Sequence, residues 1–569
     1  MKRFFVSVLA LAALGACGPT PSDTGGDVDA APQCADGQTQ CDGNALSRCS
    51  GGEYQVVEMC ANQCNPALGC VFCQPSTGTC NGDMGSTCLP DGSGYQDSYC
   101  DPVQGLQCNN VTGQCEGECA AGSLAASYIG CDYYPTVTAQ LVNQDFSFAV
   151  AVANTSNNTA TITIDEGALA TPIVQDVAPN SVGVIPLPWV PELKMCNASG
   201  VFGCTTPAPF ETVTRAKGAY HLRSTQPVTV YQFSPLDYTN GAGVYTYTND
   251  ASLLLPSNAL RQNYVVSAWQ YWSQYSYPGM MAVTATADDT EVTITTKAPV
   301  NGAPSFQTDV PNAVTLQRGD VIQLVNLSGD LTGSSVVASK PVQVISGHYC
   351  SNVPLDVTAC DHMEESMLPI ETLSTDYIVT APAVPPLPNG KEQVIRIVAT
   401  GPGINLTYDP PVPGAPTTLA NAGDFIEIPR YVGDFLVSAD KKILVSQFME
   451  GQTAGGGTGD PATTVAVPVD QYRTEYLFHA PTNYEVNYVN ITAPMGAVVM
   501  LDSNTVSGFT AIGNTGYGVA RVILDAGLTG DGNHIVSSVD PFGISVYGYG
   551  QYTSYFYPGG LDLTEIIID

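Results

Sequence analysis

Residues 368–379 read LPIETLSTDYIV, and the same frame stands at 255–266 as LPSNALRQNYVV and at 467–478 as VPVDQYRTEYLF. In each, a Leu-Pro or Val-Pro pair is followed, eight residues after the proline, by a tyrosine that opens an apolar run: Tyr264, Tyr377 and Tyr476. Downstream come paired runs that alternate apolar and polar residues, the period of a half-buried strand. They read MAVTATADDTEVTIT (281–295), VIRIVATGPGINLTY (394–408) and VNITAPMGAVVML (489–501). An equivalent pair, FAVAVAN and TATITI, lies within 146–164, although no clear opening frame precedes it. A last strand follows a Ser-x-x-Pro-like turn in STQPVTVYQF, ASKPVQVISG, SADKKILVSQF and SVDPFGISVYG.

Four copies of a unit of about 100 residues therefore lie between 128 and 560. Helical periodicity is nearly absent, and Gly, Pro, Asn and Asp punctuate the runs, so the fold class is mainly β. Each copy offers six or seven strand candidates, enough for one Ig-like sandwich, which is the preferred arrangement. The competing one is a closed, propeller-like ring in which the copies share one axis.

Working outward, the 569 residues exceed what one hydrophobic core supports, so several domains are expected. Charged residues are 12% of the chain, about half the usual share. Lys plus Arg number 18 against 52 Asp plus Glu, a net charge of −34. That field repels phosphate backbones, and no basic cluster overcomes it, so nucleic acid is excluded as a partner. A bare anionic membrane surface is equally unsuitable, and any membrane attachment must be covalent or hydrophobic.

The amino terminus supplies such an attachment. Met1-Lys2-Arg3 precedes the apolar run Phe4 to Leu14, too short to span a bilayer permanently but suited to the core of a signal peptide. It ends in Leu14-Gly15-Ala16-Cys17, which resembles a bacterial lipobox, in which the cysteine thiol takes a diacylglycerol and the preceding peptide is cut. The reading is a signal peptide at 1–16, lipidation at Cys17, and a flexible Pro/Gly/Ser/Asp tether at 17–33. Gly18 in place of an acidic residue favours the outer membrane. The expected localisation is export, with lipid anchoring at the cell surface.

Setting Cys17 aside from the 19 cysteines leaves 18, an even number suited to disulfides in an oxidising compartment. Residues 34–119 form a Cys-rich neck of two six-cysteine repeats (34–70 and 73–115). Seven residues separate Cys34 from Cys41 and Cys73 from Cys80; eight separate Cys41 from Cys49 and Cys80 from Cys88. Modules this small need covalent staples. Cys60/Cys64 and Cys70/Cys73 have zinc-like spacing, but the exported compartment and the lack of nearby histidine favour disulfides. Cys119/Cys131, Cys196/Cys204 and Cys350/Cys360 are disulfide candidates by proximity, within or at the border of the 128–560 domain.

Catalytic motifs are missing from the sequence. The five histidines, His221, His348, His362, His479 and His534, include no HExxH, and there is neither a GxSxG elbow nor a P-loop. Gly455 to Gly459 is Gly-rich, but it lacks a strand–turn–helix setting. The densest constellation is His348, Cys350, Cys360, Asp361, His362, Glu364 and Glu365. It reads as a disulfide-closed loop capped by charged side chains, with metal or acid–base chemistry as the alternative. Arg318-Gly319-Asp320 spells an integrin-type tripeptide, but the next copy carries Ala422-Gly423-Asp424 in the same place, so the Gly-Asp pair is read as the turn into a strand. No enzyme and no cofactor are expected; Ca²⁺ in Asp-rich loops is the one ion the acidity allows. Two aromatic runs are candidate binding surface: Trp269, Tyr271, Trp272, Tyr275 and Tyr277, and Tyr552, Tyr555 and Tyr557 with Tyr547, Tyr549 and Phe556 beside them.

TNDASLLLPSNAL (248–260), CDHMEESMLP (360–369) and GCDYYPTVTAQL (130–141) resemble the N-terminal domain of the IgGFc-binding protein family, over about 128–560. Bacterial lipoproteins of a myxobacterial type are similar in plan, with a lipobox, a Cys-rich neck and this domain. The family is named for a mucus protein that binds the Fc part of IgG, so the resemblance implies a non-enzymatic binding module. The expected function is a cell-surface lipoprotein that binds an extracellular protein or glycan. The alternatives are a structural envelope component acting by self-association, and a hydrolase with a dispersed site.

Overall fold

The structure is a computed structural model and describes residues 34–568, apart from 201–202, 241–242, 386, 388–389, 455–456 and 528–529. The expected signal peptide, Cys17 and the expected tether lie outside the described residues. The chain divides into two compact units: Met1–Asn81 with Gly85–Ser98 and Asn110–Gln114, and Gly82–Met84 with Tyr99–Asn109 and Cys115–Asp569. No helix among the described residues is long and apolar enough to cross a membrane.

The smaller unit is held by staples. Cys34 is bonded to Cys49, Cys41 to Cys64, Cys60 to Cys70, and Cys73 to Cys88. A three-stranded antiparallel sheet (Thr39–Asp42, Ala45–Ser50, Glu53–Met59) packs only Leu46 and half-cystines in its core. Each cysteine of the two zinc-like pairs is bonded elsewhere, so those spacings carry disulfides. Within the larger unit Cys100 is bonded to Cys115, Cys119 to Cys131, Cys196 to Cys204, and Cys350 to Cys360. Bridges of this number belong to an exported protein.

The larger unit is built from four β-sandwiches, one for each sequence repeat. In the first, one sheet runs Ile173–Val177, Ala160–Glu166, Tyr220–Phe233, Gly130–Tyr133. The other runs Ser181–Leu187, Phe148–Asn154, Tyr220–Phe233, Ala251–Leu254. The long strand Tyr220–Phe233 belongs to both sheets: its first half pairs with Ala160–Glu166, its second with Phe148–Asn154. Ser335–Ser351 and Asn533–Gly550 do the same in the second and fourth repeats, and Phe435–Ala439 with Ile443–Met449 in the third.

This crossing accounts for the tyrosine frame. Where the long strand changes sheets, beside Pro227, Pro341 and Pro541, a main-chain carbonyl leaves the ladder, and it is costly to bury unpaired. Tyr264 Oη donates to the Val342 carbonyl at 2.7 Å, Tyr377 Oη to Ile443 at 2.7 Å, and Tyr476 Oη to Phe542. In the first repeat Tyr133 Oη donates to Val228 at 2.5 Å, so Gly130–Tyr133 is the opening element that the sequence left unclear. Each of these rings is fully buried.

The sandwiches close into a ring. Each ends in a short strand after its long one: Ala251–Leu254, Asp361–Ser366, Thr463–Val465 and Thr553–Pro558. The first packs against the second, the second against the third, the third against the fourth, and the fourth against the first. Entrance and exit also meet, for Tyr128 N donates to the Leu561 carbonyl at 3.1 Å and Leu563 N to Ala126 at 2.9 Å. The preferred and competing arrangements are thus combined: the units are sandwiches, and they share one axis.

Four outer edges are protected in two ways. Val321–Val325 is covered by Val213–Arg215 of the first repeat, and Tyr517–Leu524 is partly covered by Thr510–Ala511. The equivalent strands Ser181–Leu187 and Phe425–Tyr431 are uncovered, and they carry Pro186 and Pro429, which cannot donate to an added strand.

Candidate functional site

The inner strands bring the densest sequence constellation to the axis. Asp250 Oδ1 accepts the backbone N–H of Ala251 at 2.9 Å and of Phe556 at 3.1 Å; Oδ2 accepts those of Glu364 at 3.1 Å and Thr463 at 3.0 Å. These four donors come one from each repeat, so a single carboxylate joins all four inner strands. Burial pushes its carboxyl well above the ordinary range while the N–H groups pull it down. All four acceptor positions are taken, so a proton would have to displace a donor.

Asp361 extends the hub. Its Oδ1 accepts Asn249 N at 2.7 Å and His362 N at 2.8 Å, and its Oδ2 accepts Thr553 Oγ1 at 3.1 Å and Ser554 N at 3.2 Å. Glu364 Oε1 accepts from Gln232 Nε2 at 2.8 Å, and its Oε2 from Thr138 Oγ1 at 2.5 Å. The charged side chains beside the Cys350–Cys360 bridge therefore do more than cap their own loop: they fasten neighbouring repeats to one another. His348 lies in the same interior, and burial, with His362 nearby, lowers its pKa to about 3, so it stays neutral. With every one of these groups under 2% exposed, the hub is closed to large ligands.

The aromatic candidates divide. Trp269, Tyr547, Tyr549, Tyr555, Phe556 and Tyr557 are interior, and Trp272 is 7% exposed, so these residues form core and not surface. Tyr275 (53% exposed) and Tyr552 (40%) are open, with Tyr271 and Tyr277 half-buried. Tyr275 stacks on Tyr277 and tilts against Trp272, a cluster held by the bridge between Trp272 and Tyr277. Arg318 of the integrin-type tripeptide is bound at home, donating to Glu166 Oε1 at 2.7 Å and lying 2.9 Å from His221 Nδ1, while Gly319 turns at φ +82°. Gly455 and Gly456 fall outside the described residues.

An open feature missed by sequence reading is a groove of about 720 Å³ between the second and third repeats. Lys297, Asp330 and Thr332 line one side, and Thr418, Asp424 and Phe425 the other. Gly333 and Gly423 meet here so closely that a Cβ on Gly333 would stand 1.9 Å from the Gly423 carbonyl oxygen. Beside the groove lies Arg396, 1% exposed, its guanidinium 4.3 Å from the Trp269 ring centroid and 4.8 Å from that of Phe425. It pairs with Asp330 and Glu427, each at 2.9 Å, and donates to the Ala268 carbonyl at 2.6 Å. The signal was present as an arginine at mid-run in VIRIVAT, an apolar strand that otherwise rejects charge.

The groove, Arg396 and the hub carboxylates Asp250, Asp361 and Glu364 lie within the segment that a known family matches. The sequence model of the IgGFc binding protein family matches residues 250–548. This chain belongs to that family. It is similar to the human IgGFc-binding protein, 31% identical over 272 residues, which is 47% of this chain and 5% of that protein's length. The family match starts at the first inner strand, where Asp250 stands. The preceding sandwich, with Tyr133 in the same latch, completes the ring.

Proposed function

We propose that the chain is an exported, envelope-held binding protein, and that it works by capture of a protein or glycan and not by turnover. Family membership carries this reading: the segment that matches the family holds Asp250, Asp361, the groove and the Tyr275 cluster. A ring fixed by Asp250 and Asp361 gives a rigid scaffold, and a preorganised surface loses little entropy on binding. The contact surface proposed is the groove floored by Phe425 together with Tyr275 and Tyr277, beside which Tyr271 N donates to Gly329 at 2.9 Å, next to Asp330 of the groove wall. Lipidation at Cys17, followed by the tether and the stapled neck, would hold this surface outside the membrane.

The test is binding of the Cys17→Ser chain to an array holding IgG Fc, mucin-type glycoproteins and their free glycans. Retention on one class is expected, falling about tenfold or more for Phe425→Ala or Tyr275→Ala. Turnover of an arrayed substrate, or concentration-dependent oligomers with no retention, would overturn the reading.

A further inference from the structure

We propose that the junction of the first and fourth repeats carries a separate recognition surface, a tyrosine strip that binds an extended proline-rich segment ending in arginine or lysine. Tyr245 and Tyr247 of the first repeat and Tyr552 of the fourth follow one another across the junction, with ring centroids 5.7 and 6.2 Å apart. Tyr552 is 40% exposed, and the other two are half-buried. Tyr238 continues the strip inward. Its ring lies 5.1 Å from Tyr245 and 5.7 Å from Tyr484, which in turn stands 4.8 Å from the buried Tyr555. The outer rings thus rest on the core.

The outermost rings are held there against backbone preference. Tyr552 lies in the two-residue turn between Gly550 and Thr553 at φ 58°, and Tyr247, which packs edge-on against it, has φ 52°. Both are left-handed conformations that a bulky residue rarely adopts, and strain of this kind concentrates where a side chain is used. Glycine is the ordinary occupant of such a position. The turn is also pinned: Gln551 N donates to Tyr238 Oη at 2.8 Å, and Tyr552 N to Gln452 Oε1 at 2.7 Å. Core packing accounts for Tyr238 and Tyr484. It does not account for a strained ring left in solvent.

The chemistry of the strip selects the partner. Its rings stand on the loop after Tyr220–Phe233 and on the tip of the hairpin that joins Asn533–Gly550 to Thr553–Pro558, so it offers no sheet edge for an added strand. A polyproline segment arrives already extended, has no N–H groups in need of acceptors, and packs on aromatic faces. Beside Tyr238 stand two exposed carboxylates, Asp237 and Glu485, the latter accepting from Tyr238 Oη at 3.3 Å. They set the end at which a basic residue docks, and the chain's net charge of −34 draws that residue in. This surface shares no residue with the groove and does not rest on the proposed function.

The experiment is fluorescence anisotropy, with the whole Cys17→Ser chain titrated into fluorescein-labelled hexaproline ending in arginine. Hexaproline ending in glutamate and an arginine-ended Gly-Ser peptide of equal length are the other probes. The arginine-ended hexaproline is expected to bind with a dissociation constant on the order of 10–100 µM, and the other two about tenfold or more weaker. Tyr552→Gly keeps the turn, since glycine accepts φ 58°, and holds the urea midpoint while affinity for the first probe falls about tenfold or more. No uptake of arginine-ended hexaproline, equal uptake of either other probe, or unchanged affinity in Tyr552→Gly would overturn the assignment.

Discussion

Replacing Asp250 by asparagine tests whether one carboxylate closes the ring. The substitution keeps the size of the side chain and exchanges one oxygen for an amide nitrogen that cannot accept. Whichever way the amide turns, two of the four backbone N–H groups, those of Ala251 and Phe556 or those of Glu364 and Thr463, lose their acceptor and face a donor. A buried donor left unsatisfied costs about 1–3 kcal/mol, so the pair costs about 2–6 kcal/mol, a large part of the roughly 5–15 kcal/mol that holds a domain together. Asp250→Ala strips all four donors and costs more. The assay is equilibrium urea unfolding followed by tyrosine and tryptophan fluorescence, with limited proteolysis to detect opening between the first and fourth repeats. An asparagine variant within about 1 kcal/mol of the parent would show that the inner strands hold without the hub, and would refute the reasoning.

Four further outcomes are expected. Burial pushes the carboxyl of Glu450 up to about 7 and that of Asp460 up to about 6. A carboxyl raised on folding favours the native state at and below its ordinary range and loses that contribution as pH rises through the folded value. Stability therefore falls between about pH 4 and pH 7, by up to about 1.4 kcal/mol per pH unit for each group, and urea midpoints for Glu450→Gln show a shallower fall. Tyr377→Phe removes the hydroxyl that donates to Ile443 at 2.7 Å and accepts from Ser374 N at 3.1 Å; the expected loss of about 1–3 kcal/mol is read from the same curves. Arg396→Met leaves Asp330 and Glu427 without their cation and costs about 3 kcal/mol, with loosening at the groove visible as faster amide exchange in 418–426. Tyr275→Ala, at a ring 53% exposed, leaves the urea midpoint unchanged while lowering ligand retention in the array assay.

The repeat was legible because two of its devices are local: a tyrosine at fixed distance from a proline, and a proline in the long strand. The opening strand of the first repeat escaped because Tyr133 performs the latch without a Leu-Pro leader. Closure of the ring was not legible, since Asp250 in TNDAS reads as a turn residue and its donors lie as far away as Thr463 and Phe556. Burial of Tyr555 and Tyr557 was hidden for a related reason. At the axis a closing strand is covered on both faces, so Thr553–Pro558 is buried at every position and the alternation that normally separates inside from outside vanishes. Arg396 was visible only as a residue out of keeping with its surroundings.

The two styles of edge protection bear on life at high density. At high local concentration any bare ladder invites sheet-to-sheet fusion into fibres. Covering two flanks with its own backbone and breaking two more with Pro186 and Pro429 disfavours that fusion along these four strands.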